Sequence, residues 1–221
     1  MEKRVCAKTV RILIVDDHFV LRQGLKAILV EKYPEAFFGD ASNARDALEA
    51  AWKETWDVVL LDINLPGRSG LDVLADLRKT VPKLPVIILS MHSEEQFAVR
   101  ALKLGAASYI GKDIAGSELV RGMEAVLQGG KYITEAVART LAMHVEQDRP
   151  GALHEALSDR EYQVMCLLGS GRRVKEIAVK LSLSVKTIST YRRRILKKLE
   201  MEHNAELIRY VMENKLITFE G

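Results

Sequence analysis

The sequence has little cysteine and no long apolar run. Only Cys6 and Cys166 occur in its 221 residues, too few for a disulfide framework. Cys166 lies in an apolar helical stretch and reads as a packing residue, and Cys6 falls in a segment read as a tail. No Cys/His cluster has zinc-ligand spacing, which argues against a zinc module. No stretch of about 18 consecutive apolar residues exists, so no transmembrane helix and no membrane partner are expected. Met1 to Arg11 is polar and charged, without the apolar core of a signal peptide. The expectation is a soluble, cytoplasmic protein. Neither an internal repeat nor a low-complexity tract is present. What the chain does have is 48% hydrophobic residues, enough for a packed core in each of two modest domains.

The formal net charge of +3 is unevenly spread. Residues 1–146 carry 19 Lys/Arg against 20 Asp/Glu, a net of −1, and residues 147–221 carry 14 against 10, a net of +4. Between Arg172 and Lys198 lie ten basic residues and one acid, Glu176. Such a concentration points to a polyanionic partner for the C-terminal part, although a solvated basic face would look the same from charge alone.

Short apolar runs alternate with amphipathic stretches in the first part. Ile12–Val15, Ala36–Gly39, Val58–Leu61, Val86–Leu89 and Ser108–Ile110 read as strands, three of them solidly branched-aliphatic, as in strands covered on both faces. Phe19–Lys32, Ala44–Glu54, Leu71–Lys79, Glu95–Leu104 and Gly116–Leu127 read as the intervening helices. Five strands alternating with five helices predict a doubly wound parallel sheet of α/β class. A further helix is expected at Glu135–Val145 with Thr134 as its N-cap, then a linker at Gln147–Gly151. Four helical patterns without a strand follow: Asp159–Leu168, Val174–Leu181, Val185–Leu199 and Ala205–Asn214. The expected division is a first domain over 9–130, a partly helical linker over 131–154, and an all-α domain over 155–221.

In an open parallel sheet, ligands gather at the carboxyl ends of the strands, near the point where strand order reverses. The first strand ends in Asp16-Asp17, the third in Asp62 and the fourth in Ser90, and the fifth is followed by Lys112. Three carboxylates in one small volume repel unless a cation sits among them, and Mg²⁺ suits few carboxylates, several waters and a phosphate oxygen. Asp62 is the candidate nucleophile, since a carboxylate can accept a phosphoryl group. Mg²⁺ and Lys112 would neutralise the transferring charge, and the Ser90 hydroxyl would donate to a phosphoryl oxygen. Each residue also has a plainer reading: Asp17 as a helix cap, Asp62 as a turn former before Pro66-Gly67, Lys112 as a surface lysine, Ser90 as an N-cap. Their joint occurrence at strand ends favours a site.

These motifs, Ile-Val-Asp16-Asp17-His, Leu-Leu-Asp62-Ile-Asn-Leu-Pro66-Gly67, Ile-Leu-Ser90-Met-His and Tyr109-Ile-Gly-Lys112, resemble the receiver domains of two-component systems over about residues 10–130. The resemblance implies a flavodoxin-like (βα)5 fold, Asp62 as phosphoacceptor, Asp17 on Mg²⁺ directly and Asp16 through water. It also implies a backbone carbonyl from Asn64 on the metal, and Tyr109 as an aromatic switch that swings inward as Ser90 moves. Two departures stand out. Asp113 follows Lys112 where many receivers have proline, and Met91 follows Ser90 where smaller residues are common.

In the C-terminal part, Val174, Ile177, Ala178 and Leu181 define one helix face. After the turn at Ser182-Leu183, Ser184 can cap a second helix with Thr187 at the third helical position. Val185, Ile188, Ile195 and Leu199 form its apolar stripe, with Lys186, Thr190, Arg193 and Lys197 roughly opposite. Two short helices and a tight turn, the second helix basic, make a helix-turn-helix. Leu157-Ser-Asp-Arg-Glu161, Lys175-Glu-Ile-Ala178, Ser184-Val-Lys-Thr-Ile188 and Arg194-Ile-Leu-Lys-Lys-Leu199 resemble the LuxR-type DNA-binding domain. Together the two parts resemble NarL/FixJ response regulators. That resemblance puts Ser189, Thr190 and Arg193 at base edges, with Arg193 suited to guanine, and Lys186, Thr187, Arg192 and Lys197 at phosphates. It also implies a sensor histidine kinase, promoter DNA, RNA polymerase and a second copy of the chain as partners. Ile208, Val211 and Met212 of the last helix serve either a dimer or the internal core.

The function expected is therefore phosphorylation-controlled transcription rather than enzymatic turnover. A phosphohydrolase of haloacid-dehalogenase type would need an aspartate where Asn64 stands. A sigma factor would leave the acidic pocket unexplained. The remaining alternative is a constitutive DNA-binding regulator whose receiver is not phosphorylated.

Overall fold

A computed structural model describes residues 9–90, 95–112, 116–147, 152–214 and 216–217, with side chains except at 95–96 and 143–147. Five β-α units come first: β1 (Arg11–Val15) and α1 (Phe19–Lys32), β2 (Phe37–Ala41) and α2 (Ala44–Lys53), β3 (Val58–Asp62) and α3 (Gly70–Thr80), β4 (Val86–Ser90) and α4 (Glu95–Lys103), β5 (Ser108–Gly111) and α5 (Gly116–Leu127). A short strand β6 (Tyr132–Ile133) and helix α6 (Glu135–Gln147) follow. After a 3-10 turn at Leu153–Ala156 come α7 (Asp159–Gly169), α8 (Val174–Lys180), α9 (Val185–Lys198) and α10 (Asn204–Glu213).

All pairings in the sheet are parallel, in the order β2-β1-β3-β4-β5-β6. Every residue of β3 and β4 is buried, which is why both read as unbroken aliphatic runs. One apolar cluster on the sheet gathers Ile12, Leu29, Leu60, Ile87 and Met123. The other gathers Leu13, Leu61, Leu74, Ile88 and Phe97 and runs on into the helical domain through Tyr162. Side-chain caps start the helices where the chain turns: Asn43 for α2, Ser69 with Asp72 for α3, Ser158 with Glu161 for α7, and Ser184 for α9. Each satisfies an amide that the first turn leaves unpaired.

Two readings need correction. The sheet has six strands rather than five, because Tyr132–Ile133, read as linker, pairs with Ser108 and Tyr109; two residues are too few for a periodic signal. The helix expected after Thr134 is present as α6, with Thr134 capping it and its end at Gln147, and a 3-10 turn occupies Leu153–Ala156. Finally, Val185 leaves the apolar stripe of α9: it is 45% exposed, whereas Ile188, Ile195 and Leu199 are buried.

Candidate functional site

The pocket forms at the carboxyl ends of β1 and β3, where the strand order reverses. Asp16 follows β1 and Asp62 ends β3, and both side chains are essentially sealed from solvent. Lys112, just past β5, reaches between them: its Nζ lies 2.5 Å from Asp16 Oδ2 and 2.9 Å from Asp62 Oδ2. The Lys112 backbone amide donates to the Ser90 carbonyl (2.6 Å), which ties the β5 end to the β4 end. Asp62 Oδ1 accepts from the Asn64 amide (3.1 Å). Burial pushes the Asp62 carboxyl above the ordinary range; Lys112 opposes that rise and Asp16 adds to it. The sequence-predicted Asp16, Asp17, Asp62, Ser90 and Lys112 thus meet at one sheet edge. Tyr109 is 3% exposed, already inside the core on β5. Met91 and Asp113, where the motifs depart from the common pattern, lie outside the described residues.

Asp17 and His18 form the open rim. One ligand atom each from Asp16, Asp17, His18 and Asp62 lie within 4.8 Å of one another. Asp17 Oδ1 is buried and makes no hydrogen bond, although His18 Nδ1 stands 2.9 Å away. An unsatisfied buried oxygen beside two further carboxylates is a donor set that fits a hard divalent cation such as Mg²⁺. His18 stood inside the first motif without a role; adjacency to Asp17 was its only signal.

Gly70 fixes the loop behind Asp62. It donates to the Ile63 carbonyl (2.9 Å), and a Cβ at this position would overlap the Asp62 carbonyl oxygen. Gly70→Ala is therefore expected to cost about 1–3 kcal/mol by overpacking, measured as a lower Tm. An unchanged Tm would show that the loop yields freely.

At the other end, α9 packs inward through Ile188, Ile195 and Leu199 and leaves Lys186, Ser189, Arg193, Arg194 and Lys197 exposed. The Ser189 and Thr190 hydroxyls donate to the Val185 (2.8 Å) and Lys186 (3.0 Å) carbonyls one turn back, so both are engaged within their own helix. Thr187 hydrogen-bonds to the capping Ser184 hydroxyl (2.8 Å). Arg192 Nε donates to Asn204 Oδ1 (2.6 Å), which ties α9 to the start of α10. In α10, Leu207 and Val211 are core, while Ile208 is half-buried and Met212 is 52% exposed.

Sequence reasoning gave no sign of how the halves meet. Arg100 on α4 binds Asp159 Oδ1 (2.5 Å) and the Leu157 carbonyl (2.5 Å), and stacks over the Tyr162 ring at 4.8 Å. Phe97 meets Tyr162 edge-on, with centroids 5.6 Å apart. Gln163 on α7 donates to Asn64 Oδ1 (2.5 Å), next to the pocket. These contacts use α7 and leave the basic face of α9 uncovered.

Comparison with known proteins bears on both halves. Residues 12–124 match the response regulator receiver domain, and residues 155–211 match the luxR family of bacterial regulatory proteins. The response regulator UvrY of Escherichia coli K12 is 31% identical over 212 residues, covering 96% of this chain and 97% of that protein. The response regulator GacA of Pseudomonas aeruginosa is 33% identical over 199 residues, covering 90% and 93%. Among solved structures, RcsB of Salmonella enterica serovar Typhimurium, bound to promoter DNA with the phosphomimetic BeF3−, matches at 26% identity and a TM-score of 0.59, over 92% of this chain and 98% of that one.

Proposed function

The chain belongs to the response regulators of NarL/FixJ type, phosphorylation-controlled regulators of transcription with a receiver and a LuxR-type DNA-binding domain, and from that premise we propose that Asp62 is its phosphoacceptor and Arg193 its principal base reader. The observation that carries the first assignment is Lys112 Nζ held between Asp16 and Asp62 at the strand ends. A carboxylate oxygen of Asp62 attacks the phosphorus of a sensor kinase's phosphohistidine, and the bond to the imidazole nitrogen breaks with its electron pair. Lys112 turns toward the phosphoryl oxygens and the Ser90 hydroxyl donates to one of them. Asp16, Asp17, Asp62 and the Asn64 carbonyl would hold Mg²⁺, which supplies charge neutralisation at the phosphoryl group. The added charge of about −1.5 to −2 draws Ser90 inward, with the buried Tyr109 filling the space behind it.

Because α9 is uncovered, we propose that phosphorylation acts by favouring a dimer rather than by releasing a hidden reading helix. Met212 and Ile208 supply apolar surface on α10 for a second copy. Such a dimer reads two half-sites roughly 34–36 Å apart and recruits RNA polymerase in the cytoplasm. No helix among the described residues is long and apolar enough to cross a membrane.

Arg193→Ala is expected to lower discrimination between operator and mutated sites by about 1–3 kcal/mol. Lys197→Ala is expected to weaken all sites alike and flatten the salt dependence by about one unit of slope. Titrations on matched and mismatched duplexes at several salt concentrations separate the two. Equal losses on every sequence would defeat the sorting. Mapping of bound DNA across the genome, with wild type and Asp62→Ala, tests the whole reading; identical occupancy would favour the constitutive alternative.

A further inference from the structure

The phosphoacceptor and the helix-turn-helix are joined by one run of hydrogen bonds. Asp62 Oδ1 accepts from the Asn64 amide (3.1 Å), and Asn64 Oδ1 accepts from Gln163 Nε2 (2.5 Å). Gln163 Oε1 accepts from Arg160 Nη1 (2.5 Å), and Arg160 Nη2 donates to the Leu181 carbonyl (3.1 Å). Leu181 closes α8, just before the turn that leads into α9. Gln163 and Arg160 are 4% and 3% exposed, so these bonds are shielded from competing water. Burial lowers the Arg160 pKa, an effect that Tyr191 and Asp72 oppose.

Asn64 is the polar residue of the β3–α3 loop whose amide is committed to the other domain. Its neighbours are engaged locally: Arg68 binds Asp76 (2.7 Å), and Ser69 caps α3. We propose that Gln163 is a positioning residue through which the DNA-binding domain sets how long Asp62 stays phosphorylated. This rests on Asp62 being the phosphoacceptor. Loss of the phosphoryl group is hydrolysis: a water oxygen bonds to phosphorus, the bond from phosphorus to the Asp62 oxygen breaks, and its electron pair returns to the carboxylate. Inorganic phosphate leaves and the water's proton passes to solvent. A free Asn64 amide, two residues from Asp62, can accept a hydrogen bond from that water and steer it. Tied to Gln163, its oxygen is occupied and the loop is held still. A docked DNA-binding domain therefore lengthens the phosphorylated state, and an undocked one shortens it.

The test uses the full chain, labelled with a small acyl phosphate and Mg²⁺ and then freed of the donor. Gln163→Ala is expected to shorten the phosphoryl half-life roughly two- to tenfold, the factor carried by one hydrogen bond of ordinary net strength. Arg100→Ala, which opens the interface from the α4 side without touching the pocket, is expected to shorten it similarly. Gln163→Glu still accepts from Arg160 but has no N–H to donate to Asn64 Oδ1, and is expected to shorten the half-life as Gln163→Ala does. In an Asn64→Ala background, Gln163→Ala is expected to change nothing, because the group it positions is gone. Equal half-lives in wild type, Gln163→Ala and Arg100→Ala overturn the proposal while leaving Asp62 as phosphoacceptor. A wild type that takes up no label overturns both. Persistence of the Gln163→Ala effect without Asn64 would show a general loosening and also overturn it.

Discussion

Incubated with a small acyl phosphate and Mg²⁺, the wild-type chain is expected to gain one phosphoryl mass that maps to Asp62, and Asp62→Ala to gain none. The effect is expected to be all or nothing, because Asp16 and Asp17 stand beside Asp62 as like-charged neighbours, not as substitutes for it as the proposed nucleophile. Asp16 is already engaged by Lys112 and His18, and Asp17 sits at the rim. The buried Asp62 carboxyl also carries a stability consequence. Its folded pKa lies above its ordinary value, with burial as the main cause, so the folded state holds this proton more tightly than the unfolded chain does. Its contribution therefore favours folding at low pH and is lost as pH rises through the folded pKa. Once ionised, the group weakens the fold. Asp62→Asn, nearly the same size, is expected to melt no lower than wild type without metal and to lose the increase in Tm that Mg²⁺ brings. Mass spectrometry of the labelled peptide and paired thermal melts read both expectations. Label retained in Asp62→Ala, or a Tm in Asp62→Asn well below wild type, would sink the assignment.

Lys112→Ala is expected to lower stability by about 3–5 kcal/mol, the usual cost of removing one partner from a buried ion pair. The ammonium is the counter-charge facing both buried carboxylates, and all three side chains are no more than 2% exposed. Without it, Asp16 and Asp62 repel in a poorly screened space. On a chain of this size the loss corresponds to a Tm lower by on the order of 10 °C. High concentrations of NaCl are expected to restore little, since a sealed pair is screened far less than a surface one. Mg²⁺ is expected to restore more, and to raise the Tm of Lys112→Ala by more than it raises that of wild type, because a divalent ion replaces the lost charge. Phosphoryl uptake should fall as well, since Lys112 would neutralise the transferring group. A Tm within a degree or two of wild type would show that the carboxylates do not depend on Lys112.

The sheet strands were legible because a strand covered on both faces must be a nearly continuous aliphatic run, as in Val58–Leu61 and Val86–Leu89. The pocket was legible for a related reason. Strand ends in a parallel sheet share one edge, so Asp16, Asp62, Ser90 and Lys112 could be assigned to a common place from their order alone. Tyr132–Ile133 was missed because its strand exists only through pairing with β5. Val185 was misassigned because helical spacing puts it on the apolar face, yet in the fold it is 45% exposed.

By itself the sequence determined the two folds and the chemical character of the pocket, along with the basic face that marks one helix for DNA. These follow from local periodicity, capping and the rule that strand ends meet, none of which needs a distant residue. Only the tertiary structure decided how the two parts engage. Arg100 meets Asp159 and Tyr162, and Gln163 meets Asn64 across 99 residues of chain. These are contacts between side chains far apart in sequence, and no spacing or composition encodes which surface of one folded unit will lie against the other.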